Sequence, residues 1–229
     1  PRAPGLIPGG SSSGSVASVA AGFCDLSLGS DTGSSIRIPG NNCGVLGVKS
    51  SYGSVSRYGL IDLSMSLDQI GALGESVEDC SIVFDVIKGK DEKDTKTIES
   101  DKIKLGKVGK IRVGVLKVKG VDSGIQKVVD RKVDEMKEKL KWDVKEVDLK
   151  YIDLAVQTYY PLVYVEFFSG TRRFDGRRYG KKIEEHCGPE VLRRIFGGKE
   201  ISKAEFVGRY YNKALQVKEL IKREFEKAF

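Results

Sequence analysis

The sequence predicts an α/β protein in which a mixed β-sheet core is flanked by helices, and three stretches carry that prediction. Residues 111–149 read as strand, helix, strand. An apolar IRVGVL segment comes first, then a helix with Ile125, Val128, Val129, Val133, Met136 and Leu140 at helical spacing, then an alternating DVKEVDL segment. A strand–helix–strand run of about forty residues favours a parallel pair within an α/β sheet. Ser76-Val77-Glu78-Asp79 opens a second helix with a capping-box pattern, and Ile82, Val83, Val86 and Ile87 give it an apolar face. The third stretch, residues 9–39, sets small apolar segments between two serine clusters, Ser11-Ser12-Ser13 and Ser34-Ser35. Gly/Ser composition alone would suggest a linker. The apolar, structure-forming segments beside the clusters argue for a site instead.

Taken in order, Pro8-Gly9-Gly10 marks a turn, and Ser13 or Ser15 caps a short helix through Ala21. Residues 25–28 fit a buried strand ended by Gly29, residues 30–35 a tight loop, and residues 36–39 its exit. Residues 43–48 (CGVLGV) are small and apolar, suited to a core, whereas residues 50–74 read as loop. Gly89 stops the capping-box helix, and the Lys- and Asp-rich residues 90–110 read as an exposed connection. Asp122 or Ser123 caps the helix of the strand–helix–strand unit. Residues 151–168 form an aromatic helical stretch interrupted at Pro161, followed by RRFDGRRYG at 172–180 and a short helix over 189–196. Residues 202–229 read as one long amphipathic helix with Phe206, Tyr210, Leu220 and Phe225 on its buried side.

Composition narrows the function classes. The chain has 229 residues, 40% hydrophobic and 31% charged, with a formal net charge of +7, which is ordinary globular composition. The basic excess is compatible with RNA or other acidic partners, yet no aromatic-basic RNA motif accompanies it. Cys24, Cys43, Cys80 and Cys187 form no Cys-x-x-Cys pair, and His186 is the single histidine, too few ligands for a zinc site of ordinary spacing. Scattered free cysteines in Lys- and Glu-rich sequence suggest a reducing cytoplasm, and no apolar run is long enough to span a membrane. The Pro-rich opening, residues 1–5, and the charged helix at the other end read as interior sequence, so the chain is expected to be part of a longer protein.

A serine nucleophile needs a base, and a base needs orientation. Gly10-Ser11-Ser12-Ser13-Gly14 matches a Gly-x-Ser-x-Gly elbow in form, but an elbow follows a strand, and residues 4–9 (PGLIPG) make a poor one. His186, in Glu184-Glu185-His186-Cys187-Gly188, sits in a charged segment that favours a solvated role. A Ser-Lys arrangement, with a neutral amine as base, needs no histidine. In that arrangement one serine of the two clusters attacks and the other passes its proton on.

Several motifs together make the chain resemble the amidase signature family, and within it the A subunits of glutamyl-tRNA(Gln)/aspartyl-tRNA(Asn) amidotransferases. They are PGGSSSGS at 8–15, LGSDTGSSIRIP at 28–39, CGVLGVKSSYGSVSRYGL at 43–60, SLDQIG at 66–71, KIRVGV at 110–115 and RRFDGRRYG at 172–180. The resemblance implies a partial amidase-signature domain over 1–229. Residues 1–89 would form the serine-containing catalytic core, and residues 90–229 the strand–helix–strand unit and a helical part facing substrate and partners. It implies a Ser-cisSer-Lys triad in which Ser35 attacks and Ser11, after a cis peptide bond, relays the proton. The backbone N–H groups of Thr32, Gly33, Ser34 and Ser35 would form the oxyanion hole. Tyr179 and Arg194 match substrate-contacting positions, an arginine fork suiting an α-carboxylate. Asp31 and Arg37 would hold the shape of the nucleophile loop.

The implied activity is that of a glutaminase supplying ammonia for transamidation, with glutamine as substrate, B and C subunits as partners, and tRNA reached through that complex. ATP and magnesium would belong to the partner, leaving this chain without a cofactor or metal. Three departures accompany the resemblance. The family lysine falls ahead of Ser11, and none of the ten residues before Ser11 is lysine. Ser34 stands where the pattern has glycine just before the nucleophile, and Ser13 replaces another glycine. A stand-alone amidase acting on another small amide and a non-catalytic scaffold of the same fold are the alternatives.

Overall fold

A computed structural model of the chain describes residues 5–106 and 109–229; residues 1–4 of the Pro-rich opening lie outside the described residues. Two compact units emerge, Pro1–Leu105 with Val163–Gly198, and Gly106–Leu162 with Lys199–Phe229.

The first unit is built on residues 13–87. Helix α1 (Ser13–Ala20) buries Val16 and Val19, one turn apart, as a small-residue helix can at close range. Strand β1 (Ser27–Asp31) follows, then α2 (Arg37–Cys43), β2 (Leu46–Val48), β3 (Gln69–Gly74) and α3 (Val77–Ile87). The sheet order is β1-β3-β2, antiparallel throughout, with Asp31 opposite Gln69 and Val48 opposite Ala72. Ile36 and Leu73 are fully buried in a core with Val16, Val19, Cys43 and Val45.

Several expectations change here. The central strand β3 lies inside the stretch that reads as loop, because QIGALG is buried on both faces and shows no alternation. Its Gly71 is demanded by close approach: a methyl group there would run into the Val48 carbonyl and Ile36. Gly29, expected to end a strand over 25–28, sits inside β1, where a Cβ would come within 2.8 Å of Ser12 Oγ. Residues 36–39, the exit of the loop, run straight into α2, with Ile36 as its N-cap. Pro39 is tolerated there because the first N–H groups of a helix have no intrahelical partner.

The capping box of α3 forms as its residues predict: Asp79 N–H donates to Ser76 Oγ at 3.1 Å and Ser76 N–H to Asp79 Oδ2 at 3.1 Å. Its apolar face is only partly used, since Cys80 is buried while Ile82 and Val86 are exposed. The connection after it is tied rather than loose over residues 91–97. Arg57 forks onto Asp94 at 3.0 and 3.1 Å, and the Ser56 hydroxyl donates to Asp91 at 2.6 Å. The Arg57 fork holds the Asp94 carboxyl down at about 2.

The second unit holds the strand–helix–strand unit. Strand β4 (Arg112–Leu116) and β5 (Asp143–Val147) pair in parallel as a separate two-stranded sheet, joined through α4 (Ser123–Glu138). Asp122 caps α4, its Oδ1 accepting from Gly124 N–H at 2.8 Å and Ile125 N–H at 3.2 Å. Ile125, Val128, Val129 and Leu140 remain exposed, so the stripe that sequence periodicity assigns to a core is mostly uncovered in this chain.

Helix α5 (Ala155–Thr171) passes through Pro161 without a break, losing one donor of a seventeen-residue helix. Residues 183–201 supply α6 (Ile183–His186) and α7 (Pro189–Ile201), the latter longer than the expected 189–196 because helix continues through Gly197 and Gly198 against Tyr164 and Phe168. The single helix expected over 202–229 is two, α8 (Ala204–Val207) and α9 (Tyr211–Ala228), interrupted by a turn at 208–210. Ala214 is the buried residue of α9, whereas Tyr210, Leu220 and Phe225 are exposed.

Candidate active site

Asp31 ends β1 with its side chain fully buried. The chain then turns around the carboxylate. Asp31 Oδ1 accepts from Ser34 N–H at 2.7 Å, and Oδ2 from Ile36 N–H at 3.1 Å and Arg37 N–H at 3.4 Å. Arg37 adds two side-chain bonds, Nε to Oδ2 at 3.1 Å and Nη2 to Oδ1 at 3.0 Å. Burial pushes the Asp31 carboxyl up, but the Arg37 fork and the backbone donors outweigh it and hold it below the usual carboxylate value. One buried charge thus shapes the 32–36 turn and launches α2.

The turn puts Ser34 at φ +112°, a conformation open to glycine but strained for a residue with a Cβ. Ser34→Gly should therefore stabilise the protein by about 1 kcal/mol, relief of strain exceeding the added freedom of the unfolded chain. Urea unfolding of both forms measures it; an unchanged or lower midpoint would show that the Ser34 backbone is not strained. The same turn commits the Ser34 amide to Asp31. Of the four amides expected to form the oxyanion hole, those of Thr32, Gly33 and Ser35 remain.

The first serine cluster meets this turn directly. The Gly10–Ser11 peptide bond is cis. Ser12 N–H donates to the Ser35 carbonyl at 3.1 Å. Ser12 Oγ donates to Ser30 O at 3.0 Å and accepts from Ser30 N–H at 3.2 Å, clipping the cluster to β1 as well. Ser12, not Ser13 or Ser15, is the N-cap of α1, and its hydroxyl makes no capping bond because β1 takes it. Ser11 is exposed and Ser35 half-buried at the surface of the turn.

Sequence reasoning missed three charged groups near this turn. Thr32 Oγ1 donates to Asp68 Oδ1, and burial pushes the Asp68 carboxyl up despite that bond and the backbone N–H groups of Ser64 and Leu63. Glu166 of α5 receives Ser64 and Ser66. Lys49, just after β2, has its amine pushed down, first by burial and then by Arg37, with Asp31 opposing; Nζ donates to Ser50 O at 3.0 Å. Asp68 and Lys49 lie inside quoted motifs and Glu166 inside a stretch read as helix, but nothing in their spacing tells which distant groups they meet.

Tyr179 is exposed in the 172–180 segment, and Arg194 pairs with Glu190 at 2.9 Å. Neither makes a hydrogen bond with the serine turn among the described residues. His186 is exposed, its Nδ1 3.0 Å from Lys182 O, and all four cysteines are free. Among the described residues, no group of His, Cys, Asp and Glu is placed to hold a metal, and no helix is long and apolar enough to cross a membrane.

Comparison with known proteins agrees with this architecture. The family model described as Amidase matches residues 1–229. The A subunit of glutamyl-tRNA(Gln) amidotransferase from Methanocaldococcus jannaschii is 52% identical over 229 residues, covering 99% of this chain and 52% of the relative. The protein of the same name from Methanothermobacter thermautotrophicus is 51% identical, covering 98% of this chain and 50% of the relative. The chain thus spans about half the length of the curated relatives it matches. Among solved structures, the A subunit of glutamyl-tRNA(Gln) amidotransferase from Thermotoga maritima superposes with a TM-score of 0.75 at 34% identity, covering 96% of this chain and 48% of that one. With a family model matched along its whole length, the chain belongs to the amidase family.

Proposed function

We propose that the protein is the glutamine-hydrolysing component of a tRNA-dependent amidotransferase. Ser35 Oγ attacks the side-chain amide carbon of glutamine. Its proton passes through the Ser11 hydroxyl to a lysine amine that the family pattern puts ahead of this stretch. The tetrahedral oxyanion rests on the amides of Thr32, Gly33 and Ser35, each such donor worth about 3 kcal/mol in a transition state. Collapse, with the proton returned from the lysine through Ser11 to the departing nitrogen, expels ammonia and leaves a glutamyl ester on Ser35; water then cleaves the ester, giving glutamate and restoring the serine. Tyr179 and Arg194 hold the glutamine backbone groups, Arg194 exchanging its bond with Glu190 for the α-carboxylate. The ammonia is used by a B subunit, with a C subunit completing the assembly, on glutamate or aspartate esterified to tRNA in the cytoplasm. ATP and magnesium act in that partner, while the hydrolysis uses serines of this chain and the lysine ahead of it.

The observation that carries this reading is the joining of the two serine segments, Ser12 N–H to Ser35 O, beside a cis Gly10–Ser11 bond. The relatives' names, A subunits of a glutamyl-tRNA(Gln) amidotransferase, support a role in a multi-subunit amidotransferase. The test is transfer. The intact protein with its partner subunits, ATP and glutamine should convert mischarged Glu-tRNA(Gln) to Gln-tRNA(Gln). Hydrolysis of other small amides without glutamine-dependent transfer would contradict the assignment.

A further inference from the structure

Two buried carboxylates stand outside the reaction as written, Asp68 and Glu166, 2% and 7% exposed. They are joined in series to the serine turn. Asp68 Oδ1 accepts the Thr32 hydroxyl, while Oδ2 accepts Leu63 N–H at 2.8 Å and Ser64 N–H at 2.9 Å. The segment carrying those amides is gripped in turn by Glu166: Ser64 Oγ donates to Oε2 at 2.7 Å, Ser66 N–H to Oε2 at 2.9 Å, and Ser66 Oγ to Oε1 at 2.7 Å. All these groups belong to one compact unit.

Asp31 fixes the turn from Ser34 onward, through the amides of Ser34, Ile36 and Arg37. It does not hold Thr32. The side chain of Thr32 reaches instead to Asp68, just ahead of β3, so the two ends of the turn have separate anchors. We propose that Asp68, braced by the segment that Glu166 holds, is a positioning residue that aims the Thr32 amide at the oxyanion. This rests on the reading of Ser35 as nucleophile. A preorganised donor costs nothing to orient at the moment of reaction, and a small misplacement is expensive.

The test uses the intact protein and two readouts, glutamine hydrolysis and the rate at which a fluorophosphonate labels Ser35. Thr32→Val, which removes the hydroxyl at constant shape, and Asp68→Asn should each lower kcat and the labelling rate about 10- to 100-fold with little change in KM. Thr32→Ser should recover most of that loss. The double variant should lose no more than the worse single one, as expected for groups acting as one unit. Wild-type labelling by a folded Thr32→Val protein, or losses that multiply in the double variant, would overturn the proposal. Should Asp68→Asn not fold, the Thr32→Val and Thr32→Ser pair still decides. Labelling of the wild type without glutamine hydrolysis would fell the substrate assignment alone, and the variants' labelling rates would then decide on Asp68. No labelling of Ser35 would fell both.

Discussion

On the proposed reaction, Ser35→Ala should leave the intact protein folded and lower kcat for glutamine hydrolysis by at least about 10⁴-fold, the scale seen when a hydrolase loses its nucleophile. The expectation of a normal fold is specific. What ties Ser35 to its surroundings is its backbone, whose carbonyl accepts Ser12 N–H, and alanine keeps that carbonyl. The turn is shaped by Asp31 through the amides of Ser34, Ile36 and Arg37, all unchanged by the substitution. Unaltered urea unfolding beside collapsed turnover would therefore isolate the hydroxyl. Equal turnover in the two proteins would remove Ser35 from the chemistry.

Asp31→Asn should be the most damaging change to the site's shape. The carboxylate accepts five donors, three from backbone and two from Arg37. A carboxamide of equal size turns an NH₂ group toward some of them and leaves buried N–H groups unpaired. Breaking a buried charged network of this kind costs about 3 kcal/mol. Arg37, about half exposed, regains water and softens the loss. Turnover should fall about 100-fold as well, because the amides around Ser35 lose their template.

The sign of the pH dependence follows from the lowered Asp31 carboxyl. A carboxyl whose folded value lies below its ordinary value of 3.8 stabilises fully above 3.8, and that contribution fades as pH falls through the lowered value. The stability difference between wild type and Asp31→Asn should thus be flat at neutral pH and shrink in acid below 3.8. A difference that persists unchanged in acid would mean that the carboxylate charge is not what holds the turn.

Features encoded within a few residues were legible from sequence. The Ser76–Asp79 capping box, the Asp122 cap and the parallel β4–β5 pair joined by α4 all read correctly, because each is a local pattern of caps and periodicity. Gln69–Gly74 was not legible as a strand, since burial on both faces erases alternation and its Gly71 answers to the Val48 backbone, distant in sequence. Residues 36–39 read only as the exit of the loop, and that α2 begins at Arg37 was not legible, because Asp31 collects the turn's amides. At the site, the two serine clusters and the shaping role of Asp31 and Arg37 stood out in the motifs. The roles of Asp68, inside the SLDQIG motif, and of Glu166 did not: one bonds Thr32 across 36 positions, the other Ser66 across 100, and no local spacing encodes such contacts.

The central claim is that Ser35 carries the acyl group during glutamine hydrolysis. Peptide mapping by mass spectrometry of the intact protein, acid-quenched during steady turnover of glutamine, reads this directly. A glutamyl ester on the peptide containing Ser35, located on that residue by fragmentation and absent from Ser35→Ala, is the predicted result. An ester on Ser11 or Ser34, or steady turnover with no ester on any serine of the turn, would contradict it.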